Sequence, residues 1–306
     1  MGGGSRTRRA RLAVPASLLL MVLLVLGGCT KGPGGPDSGE PEALTGVDRH
    51  PRHSSLEGLV FVREGAIWAV ENGEARLVIE SDSPWSLRDS RSGEAITYAS
   101  LTGAHARVYS ALRGDWRTDV IWETGLGSLL AEVVHDDVAD ALWFSASGEH
   151  TVTIGIRDRA GGEQEHAMVV PVEVGPSFTV SFDEPSLFLI GATQEPAVLY
   201  AVDGEVRSLF EASRLFTPRL SPDARHLLVA GTQGGAAFRL WVIAVGSGEA
   251  AEIDTGPGVP VDAVWSRDGT RIAFRDTETG TVWIAPYPTG QASDTGLVAD
   301  EGGLCW

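Results

Sequence analysis

Short apolar segments separated by polar turns follow one another from about residue 56 to the end of the chain. The clearest example runs from Ala263-Val264-Trp265 through the turn Ser266-Arg267-Asp268-Gly269 to Ile272-Ala273-Phe274. Ser and Asp side chains in such a turn bond to their own backbone, and Gly accepts a positive φ, so the pattern is typical of two antiparallel strands joined by a tight turn. Each segment of this kind predicts a β-hairpin.

Weaker copies of this hairpin recur upstream, and they align on a Ser at the start of the turn. The aligned positions span 176 residues in four steps, a mean spacing of 44 residues. That spacing is typical of four short strands per propeller blade and exceeds the period of helical repeats of about 33 or 34 residues. An aliphatic residue followed by an aromatic one trails most hairpins and predicts a third strand, although the unit near Met168-Val169 lacks the aromatic. The aligned residues are Ser90, Ser145, Ser181, Ser221 and Ser266.

The two ends of the repeat region predict how the ring closes. The first unit begins with a second strand, Leu59-Val60-Phe61, and the last residues, Leu304-Cys305-Trp306, align with the first strand Ala263-Val264-Trp265. A carboxyl-terminal strand that joins three strands from the amino-terminal side removes the exposed sheet edge. The sequence therefore predicts an all-β fold: a six-bladed β-propeller of four-stranded blades, closed by the C-terminal strand joining the first blade.

The amino-terminal segment has the pattern of an export signal. Four arginines precede an apolar run that ends at Leu26 and is too short for a settled membrane span. The run leads into Leu26-Gly27-Gly28-Cys29, which resembles the bacterial lipobox, whose Cys receives a diacylglycerol and an acyl chain such as palmitate. Several acyl chains anchor a protein stably where one does not. We predict that residues 1–28 are a lipoprotein signal peptide and that Cys29 is the lipid attachment site.

Residues 29–55 are rich in Gly, Pro and polar residues. Such a composition cannot bury a core, so this segment predicts a flexible tether. The tether contains His50 and His53, which we expect to be solvated because two imidazoles on a flexible segment lack a third metal ligand. Residues 56–306 then form one propeller domain.

Charge limits the classes of partner. Removing residues 1–28 takes away four arginines and no acid, which changes the net charge from −17 to −21. This acidity opposes nucleic-acid binding and offers no basic patch for anionic lipid, so membrane association is expected through the lipid on Cys29. If Cys29 is lipidated, Cys305 has no disulfide partner, and the prediction for it is a small buried side chain in the closing strand.

Two of the hairpins resemble a known family. Ser221-Pro222-Asp223-Ala224-Arg225 and the strand-turn-strand unit from Trp265 to Phe274 resemble the WD40-like repeats of TolB-type β-propellers, over about residues 56–306. The resemblance implies the fold and little about function, because these positions are structural turns and strands. The resemblance implies binding of protein partners for the periplasmic members of this family, which have an α/β domain before the propeller, and we expect no such domain in this chain. LpqB-type lipoproteins also pair a lipobox with a propeller and are associated with envelope sensor kinases, which makes a kinase accessory a further alternative.

Catalytic motifs of the common hydrolases and phosphate-binding enzymes do not occur in the sequence. A propeller channel can still assemble acids and histidines from different blades. An enzyme of a hydrolase, lactonase or sugar dehydrogenase type, with its site at the central channel, therefore stays as an alternative. The closest grouping is His135-Asp136-Asp137 with Asp140, for which a solvated loop is the simpler interpretation. The sequence predicts no cofactor, no metal site and no catalytic residue.

The longest spacing between aligned serines, 55 residues from Ser90 to Ser145, predicts an insertion. Apolar residues within it follow the i, i+3, i+4, i+7, i+8 pattern of one helical face. One interpretation is a short helix or irregular strand packed on its own blade, and the other is a protrusion that binds a partner. The residues are Leu126, Leu129, Leu130, Val133 and Val134.

These features favour a lipid-anchored, extracytoplasmic propeller that acts as a non-catalytic protein-interaction or ligand-sensing module of the cell envelope. We expect it on the cell membrane, or on the outer membrane in a two-membrane bacterium. The expected partner is an envelope protein or a peptidoglycan-associated component. A propeller fold alone does not choose between this role and an enzyme.

Overall fold

The computed structural model is a ring of six antiparallel sheets, which confirms the predicted six-bladed β-propeller. The only helical segment among the described residues is the short 3-10 helix His53–Leu56. No helix in the described part of the chain has the length and apolar character needed to span a membrane. The described residues are 47–49, 53–103, 105–125, 129–147, 152–159, 164–168, 177–183, 186–191, 196–203, 205–234 and 237–306.

The strands are short, and consecutive strands in the chain pair with each other in nearly every blade. Those of the first half are β1 (Val47–Arg49), β2 (Val60–Arg63), β3 (Ala66–Glu71), β4 (Glu74–Ile79), β5 (Trp85–Asp89), β6 (Ala95–Thr102), β7 (His105–Leu112), β8 (Thr118–Gly125), β9 (Leu129–Asp136), β10 (Ala141–Ser147), β11 (Val152–Asp158) and β12 (Gln164–Met168). Those of the second half are β13 (Phe178–Ser181), β14 (Ser186–Gly191), β15 (Ala197–Val202), β16 (Val206–Ala212), β17 (Arg214–Leu215), β18 (Arg219–Leu220), β19 (His226–Thr232), β20 (Phe238–Ala244), β21 (Ala250–Glu252), β22 (Pro260–Trp265), β23 (Arg271–Asp276), β24 (Thr281–Pro286), β25 (Ser293–Val298) and β26 (Leu304–Cys305).

Each blade runs outward from a first strand at the channel. Blade 1 has the order β26-β2-β3-β4-β1, and blades 2, 3 and 4 consist of β5 to β8, β9 to β12 and β13 to β16. Blade 5 is β19-β20-β21 with two short inner strands, β17 and β18, both paired with β19, and blade 6 is β22 to β25. The turns between first and second strands all lie on one face of the ring, which we call the turn face.

The predicted ring closure is confirmed. Strand β26 pairs antiparallel with β2, so that Val60 faces Cys305 and Phe61 faces Leu304. Trp306 extends this junction, because its indole Nε1 donates a hydrogen bond to the Glu57 carbonyl oxygen at 2.7 Å. Its backbone N–H also donates to an Asp89 carboxylate oxygen in blade 2 at 3.0 Å. The last residues thus complete blade 1 and connect it to blade 2.

Blade 1 includes a strand and a 3-10 helix from before residue 56. Strand β1 pairs with β4 as a fifth, outermost strand of blade 1, with Val47 opposite Arg76. The 3-10 helix packs against β3 and β4 and buries His53 completely. The prediction that His53 is solvated is therefore wrong, because apolar strands of blade 1 cover this part of the predicted tether. His50 lies outside the described residues.

The hydrophobic core lies between neighbouring blades. In the contact between blades 4 and 5, Leu199 of β15 packs in one cluster with Leu227 and Trp241 of the next blade. The aromatic residues predicted for the third strands do lie on third strands, where they are buried or half-buried. They are Trp68, Tyr109, Tyr200, Trp241 and Trp283.

Blade 3 corrects the alignment of the repeats. The hairpin between its first and second strands turns at Asp136, and Ser145 lies within the second strand, β10. With Asp136 in place of Ser145 the spacings become 46, 45, 40 and 45 residues, so the predicted insertion does not exist. The helical pattern is also wrong, because residues 129–136 form the inner strand β9. A strand that is buried on both faces carries apolar residues on both, and in β9 their spacing also matches that of one face of a helix.

Candidate functional site

The turn face is built from rigid, internally hydrogen-bonded turns. At Ser266 the hydroxyl donates to Asp268 Oδ1 at 2.6 Å, and the Thr270 N–H donates to the same carboxylate oxygen at 3.0 Å. Gly269 has a φ of +68°, the left-handed conformation that Gly adopts without strain. The bonds from Ser266 and from Thr270 lower the pKa of Asp268 to about 2. This turn therefore holds a fixed charge on the surface.

Blade 2 lacks the Asp of this turn, and a neighbouring blade supplies one. The turn begins at Ser90 and has Ser92 where blade 6 has Asp268. Asp137 of blade 3 accepts hydrogen bonds from the Ser90 hydroxyl at 2.8 Å and from the Ser92 N–H at 2.9 Å. Burial would raise the pKa of Asp137, but these hydrogen bonds outweigh it and lower the pKa. The carboxylate thus links two blades.

The other residues of the acidic grouping are buried or paired within the blades. His135 is buried, at 5% exposure, rather than solvated. Asp136 lies 3.2 Å from the Arg91 guanidinium, and Asp140 lies 3.0 Å from that of Arg159. Within the described residues no three His, Cys, Asp or Glu side chains are grouped so that they could hold a metal ion. The grouping does not converge on one point in space.

A cavity of about 440 Å³ opens at the turn face around the channel axis. One residue from each blade lines the cavity at the same position of the repeat. In blades 2 to 6 this position lies two residues before the aligned Ser or Asp that begins the turn, and in blade 1 it is the residue that aligns with Val264. Buried Val134, Val264 and Cys305 form part of its wall, whereas Pro222 and other exposed turn residues form its rim. The six equivalent positions, from blade 1 to blade 6, are Cys305, Arg88, Val134, Thr179, Arg219 and Val264.

Arg88 is fixed by a network that crosses the channel. Its guanidinium forms an ion pair with Glu132 of blade 3 and donates to the Phe178 carbonyl oxygen of blade 4 at 3.3 Å. Glu132 in turn accepts from the Thr217 hydroxyl of blade 5 at 3.4 Å. This arginine is buried, at 5% exposure, with its charge compensated. It stiffens the channel and has little freedom to bind anything else.

Two further arginines lie at the rim. Arg91 reaches from blade 2 to Asp136 and, at 3.0 Å, to Asp183 of blade 4, and it lies over the Phe182 ring at 5.5 Å. Arg267 of blade 6 donates to the Gly93 carbonyl oxygen of blade 2, across blade 1, and has no carboxylate partner among the described residues. The rim therefore combines one compensated and one uncompensated cation.

Arg219 differs from the others because no described residue forms an ion pair or a side-chain hydrogen bond with its guanidinium. Its Nε is buried without a hydrogen-bond partner, and the nearby Asp262 is already 3.0 Å from Arg275. Burial lowers the pKa of Arg219 to about 10, and Asp262 opposes that shift. The guanidinium therefore stays charged at neutral pH, in a wall of the cavity, with no counter-ion from the described protein.

Cys305 lies in the same wall as a buried thiol. Burial raises its pKa, and the positive charges of Arg113, Arg219 and Arg267 only partly oppose the shift. A thiol that stays protonated is a poor nucleophile. The prediction of a small buried side chain in the closing strand agrees with this position, at 3% exposure.

Of the predicted site residues Leu130, Val133 and Val134, the last lines this cavity and the other two do not. Cys29 and Leu126 lie outside the described residues, and Leu129 begins strand β9. Leu130, Val133 and Val134 are buried, at 6%, 0% and 7% exposure, and they pack within and between blades rather than forming an exposed protrusion. Leu130 and Val133 belong to the hydrophobic cluster between blades 2 and 3, and Val134 belongs to that between blades 3 and 4.

Sequence reasoning missed the arginines of the channel. A signal was present, because Arg88 and Arg219 both stand two residues before the turn residue of their repeat. The hydrophobic pattern assigns that position to an apolar first strand and does not mark it as facing the channel.

Comparison with known proteins supports the fold. No protein-family model and no curated protein matches the chain. Among solved structures, TolB from Acinetobacter baumannii matches with a TM-score of 0.62 and 16% identity, over 81% of this chain and 65% of that protein, so the chain spans less than two thirds of it. The chain is similar to TolB in its propeller.

Other propellers match as well. A structure of a nidogen/laminin complex gives a TM-score of 0.63 at 12% identity, over 81% of this chain and 97% of that chain. A gluconolactonase from Xanthomonas campestris gives 0.54 at 16% identity, over 89% of each chain. Likeness at such identities shows the fold alone, since one fold carries many functions.

Proposed function

We propose that this protein is a lipid-anchored, extracytoplasmic recognition module of the cell envelope, which binds a partner or ligand at the turn face of its propeller without catalysing a reaction. The observation that carries the proposal is the cavity of about 440 Å³ at the centre of that face. Its volume is in the range of small-ligand sites, about 300–1,000 Å³. Hydrogen-bonded turns surround it and hold its shape.

The acidic and imidazole groups near this face favour binding over catalysis. Asp137 completes a turn, Asp136 and Asp140 pair with arginines, and His135 is buried away from the cavity lining. A general acid or base must reach a substrate proton. These four groups contact other residues of the blades or are buried among them, whereas Arg219 and Arg267 line the cavity without an ion-pair partner among the described residues and are suited to bind an anion.

The anchor follows from the lipobox at Cys29, which supports a location at the membrane surface. An extracytoplasmic propeller on a tether meets partners confined to the same envelope. Confinement of two molecules to one compartment raises their effective concentration, which suits a recognition role.

The test is crosslinking in cells with the tagged protein, followed by mass spectrometry of the adducts, with Cys29→Ala as the unanchored control. We expect one defined envelope component to be recovered with the wild type and to be reduced strongly with the control. Metabolic labelling with an alkyne analogue of palmitate should mark the wild type alone. Labelling of both forms, or the recovery of no specific component, would overturn the proposal and favour an enzyme at the channel.

A further inference from the structure

The charge of the cavity wall is opposite to that of the whole chain. The chain carries a net charge of −17, yet four arginines and only two aspartates line the cavity. The two aspartates, Asp89 and Asp183, pair with Arg113 at 2.5 Å and with Arg91 at 3.0 Å. Positive charge therefore remains in the wall after all ion pairs among the described residues are counted.

That remaining charge is located on two side chains. Arg88 is compensated by Glu132, and Arg91 by Asp136 and Asp183. Arg219 has no ion pair within the described chain, and Arg267 has only the Gly93 carbonyl oxygen.

Arg219 is half-buried, so its guanidinium loses part of its hydration while Nε gains no hydrogen bond and no described carboxylate forms an ion pair with it, which is unfavourable for a cation. The residues around Arg219 do not reduce this cost. Asp262, the nearest compensating charge, is already paired with Arg275. An anion in the cavity would supply the missing interaction, and the planar guanidinium fork matches carboxylate and phosphate oxygens.

The rest of the wall is apolar at several places, including Val134, Val180, Val264 and Leu304. A small molecule with one anionic group and an apolar body therefore fits both parts of the lining. We propose that the cavity binds a small molecule through its carboxylate or phosphate group, with Arg219 as the principal cation and Arg267 as a second one at the rim. This deepens the proposed function, on which it rests for the choice of the turn face.

The test is titration calorimetry of the full-length protein in chloride buffer at constant ionic strength. The probes are inorganic phosphate, benzoate and benzamide, where benzamide has the shape of benzoate without its charge. We expect phosphate or benzoate to bind and benzamide not to bind. The probe that binds more tightly distinguishes a phosphate ligand from a carboxylate ligand.

Arg219→Met removes the charge and keeps much of the volume of the side chain. It should weaken anion binding at least about tenfold, the effect expected from one lost charge-assisted interaction. Arg225→Met is the matched control, because Arg225 lies in the adjacent turn of blade 5, is exposed and does not line the cavity. It should leave the affinity unchanged although it removes the same charge.

In chloride buffer the melting temperature of Arg219→Met should equal or exceed that of the wild type, since the substitution removes a half-buried charge without an ion-pair partner. If it does not fold, Arg267→Met at the exposed rim still tests the site and should weaken binding several-fold. Failure of both anions to bind the wild type, or equal affinity for the wild type and a folded Arg219→Met variant, would overturn the inference. Recovery of an anchored envelope component in that case would leave the proposed function intact.

Discussion

His135 places an imidazole inside the propeller with neither ring nitrogen hydrogen-bonded among the described residues. Burial lowers its pKa. The charges of Asp137, Asp140 and Asp136 act against that shift, and Arg159 adds to it. In the folded protein the neutral ring is therefore favoured relative to the unfolded chain. The equivalent positions hold Asp89 in blade 2 and an apolar residue in the four other blades, so an apolar residue suits this place in the repeat; these residues are Val180, Leu220, Trp265 and Trp306.

This burial makes stability depend on pH. The pKa of His135 in the folded protein lies below the value of about 6.5 in the unfolded chain. The neutral ring therefore makes its full contribution to the free energy of unfolding above about pH 6.5. This contribution is lost as the pH falls from about 6.5 toward the folded pKa. His135→Leu should remove this loss. We expect its free energy of unfolding, from urea titrations at pH 7.5 and at pH 5, to fall less than that of the wild type, by up to about 1.4 kcal/mol per pH unit.

The control for this experiment is His105→Leu, which removes an imidazole whose side chain is 52% exposed at the start of β7. Identical pH dependence of the free energy of unfolding for the wild type and His135→Leu would show that protonation of the buried imidazole is not coupled to unfolding.

The strands of blade 3 show how a blade tolerates the loss of its third-strand aromatic. Gly155 of β11 stands opposite Phe144 of β10. A Cβ on Gly155 would lie 2.4 Å from Phe144 Cζ, so this ring occupies the space of the missing side chain. Phe144 also packs on Trp122 of blade 2, with 4.8 Å between ring centroids, and cannot move aside freely.

Gly155→Ala should therefore destabilise the propeller by about 1–3 kcal/mol, the usual cost of overpacking a core. Adding Phe144→Leu frees the space, so the double variant should be more stable than the sum of the single effects by at least about 0.5 kcal/mol in urea unfolding. Gly125→Ala, where nothing lies within 4 Å of the new Cβ, should be nearly neutral. Strict additivity of the first two changes would mean that the ring does not fill the site of Gly155.

The same blade shows why part of the fold was predictable and part was not. Blades 5 and 6 could be located because Ser221 and Ser266 are each followed by Asp two residues later, which specifies the turn by local hydrogen bonds. Blade 3 has Asp136 in place of the Ser and Gly155 in place of the aromatic residue, so both local signals were missing.

The cavity was less accessible to prediction, because it depends on the closed ring. Arg88 and Arg219 belong to blades three steps apart, which face each other across a six-membered ring. Which arginine is compensated depends on contacts between blades, such as that of Arg88 with Glu132, and spacing along the chain does not reveal them.

At the scale of the whole molecule, stability depends on the junction of the two ends of the propeller. Trp306 is 4% exposed, bonds to Glu57 and Asp89, and lies under the Arg271 guanidinium at 4.7 Å. Trp306→Ala should destabilise the protein by about 3–5 kcal/mol, as for other buried Trp side chains. Deletion of the last four residues should lower the melting temperature further.

Trp306→Phe is the matched variant, since it keeps an aromatic ring and loses the indole N–H bond. It should cost about 1 kcal/mol in urea unfolding. A melting temperature unchanged by the deletion would show that the ring does not depend on its closing strand.

The proposal that the turn face recognises a partner while Cys29 anchors the protein is tested most directly by site-specific photo-crosslinking in cells. A photoreactive amino acid replaces Pro222, which is exposed at the cavity rim, or Glu278, which is exposed in the turn between β23 and β24 on the opposite face. We expect a defined envelope adduct from position 222 that depends on Cys29, and none from position 278. Equal adducts from both positions, or adducts from position 278 alone, would show that the turn face is not the recognition surface.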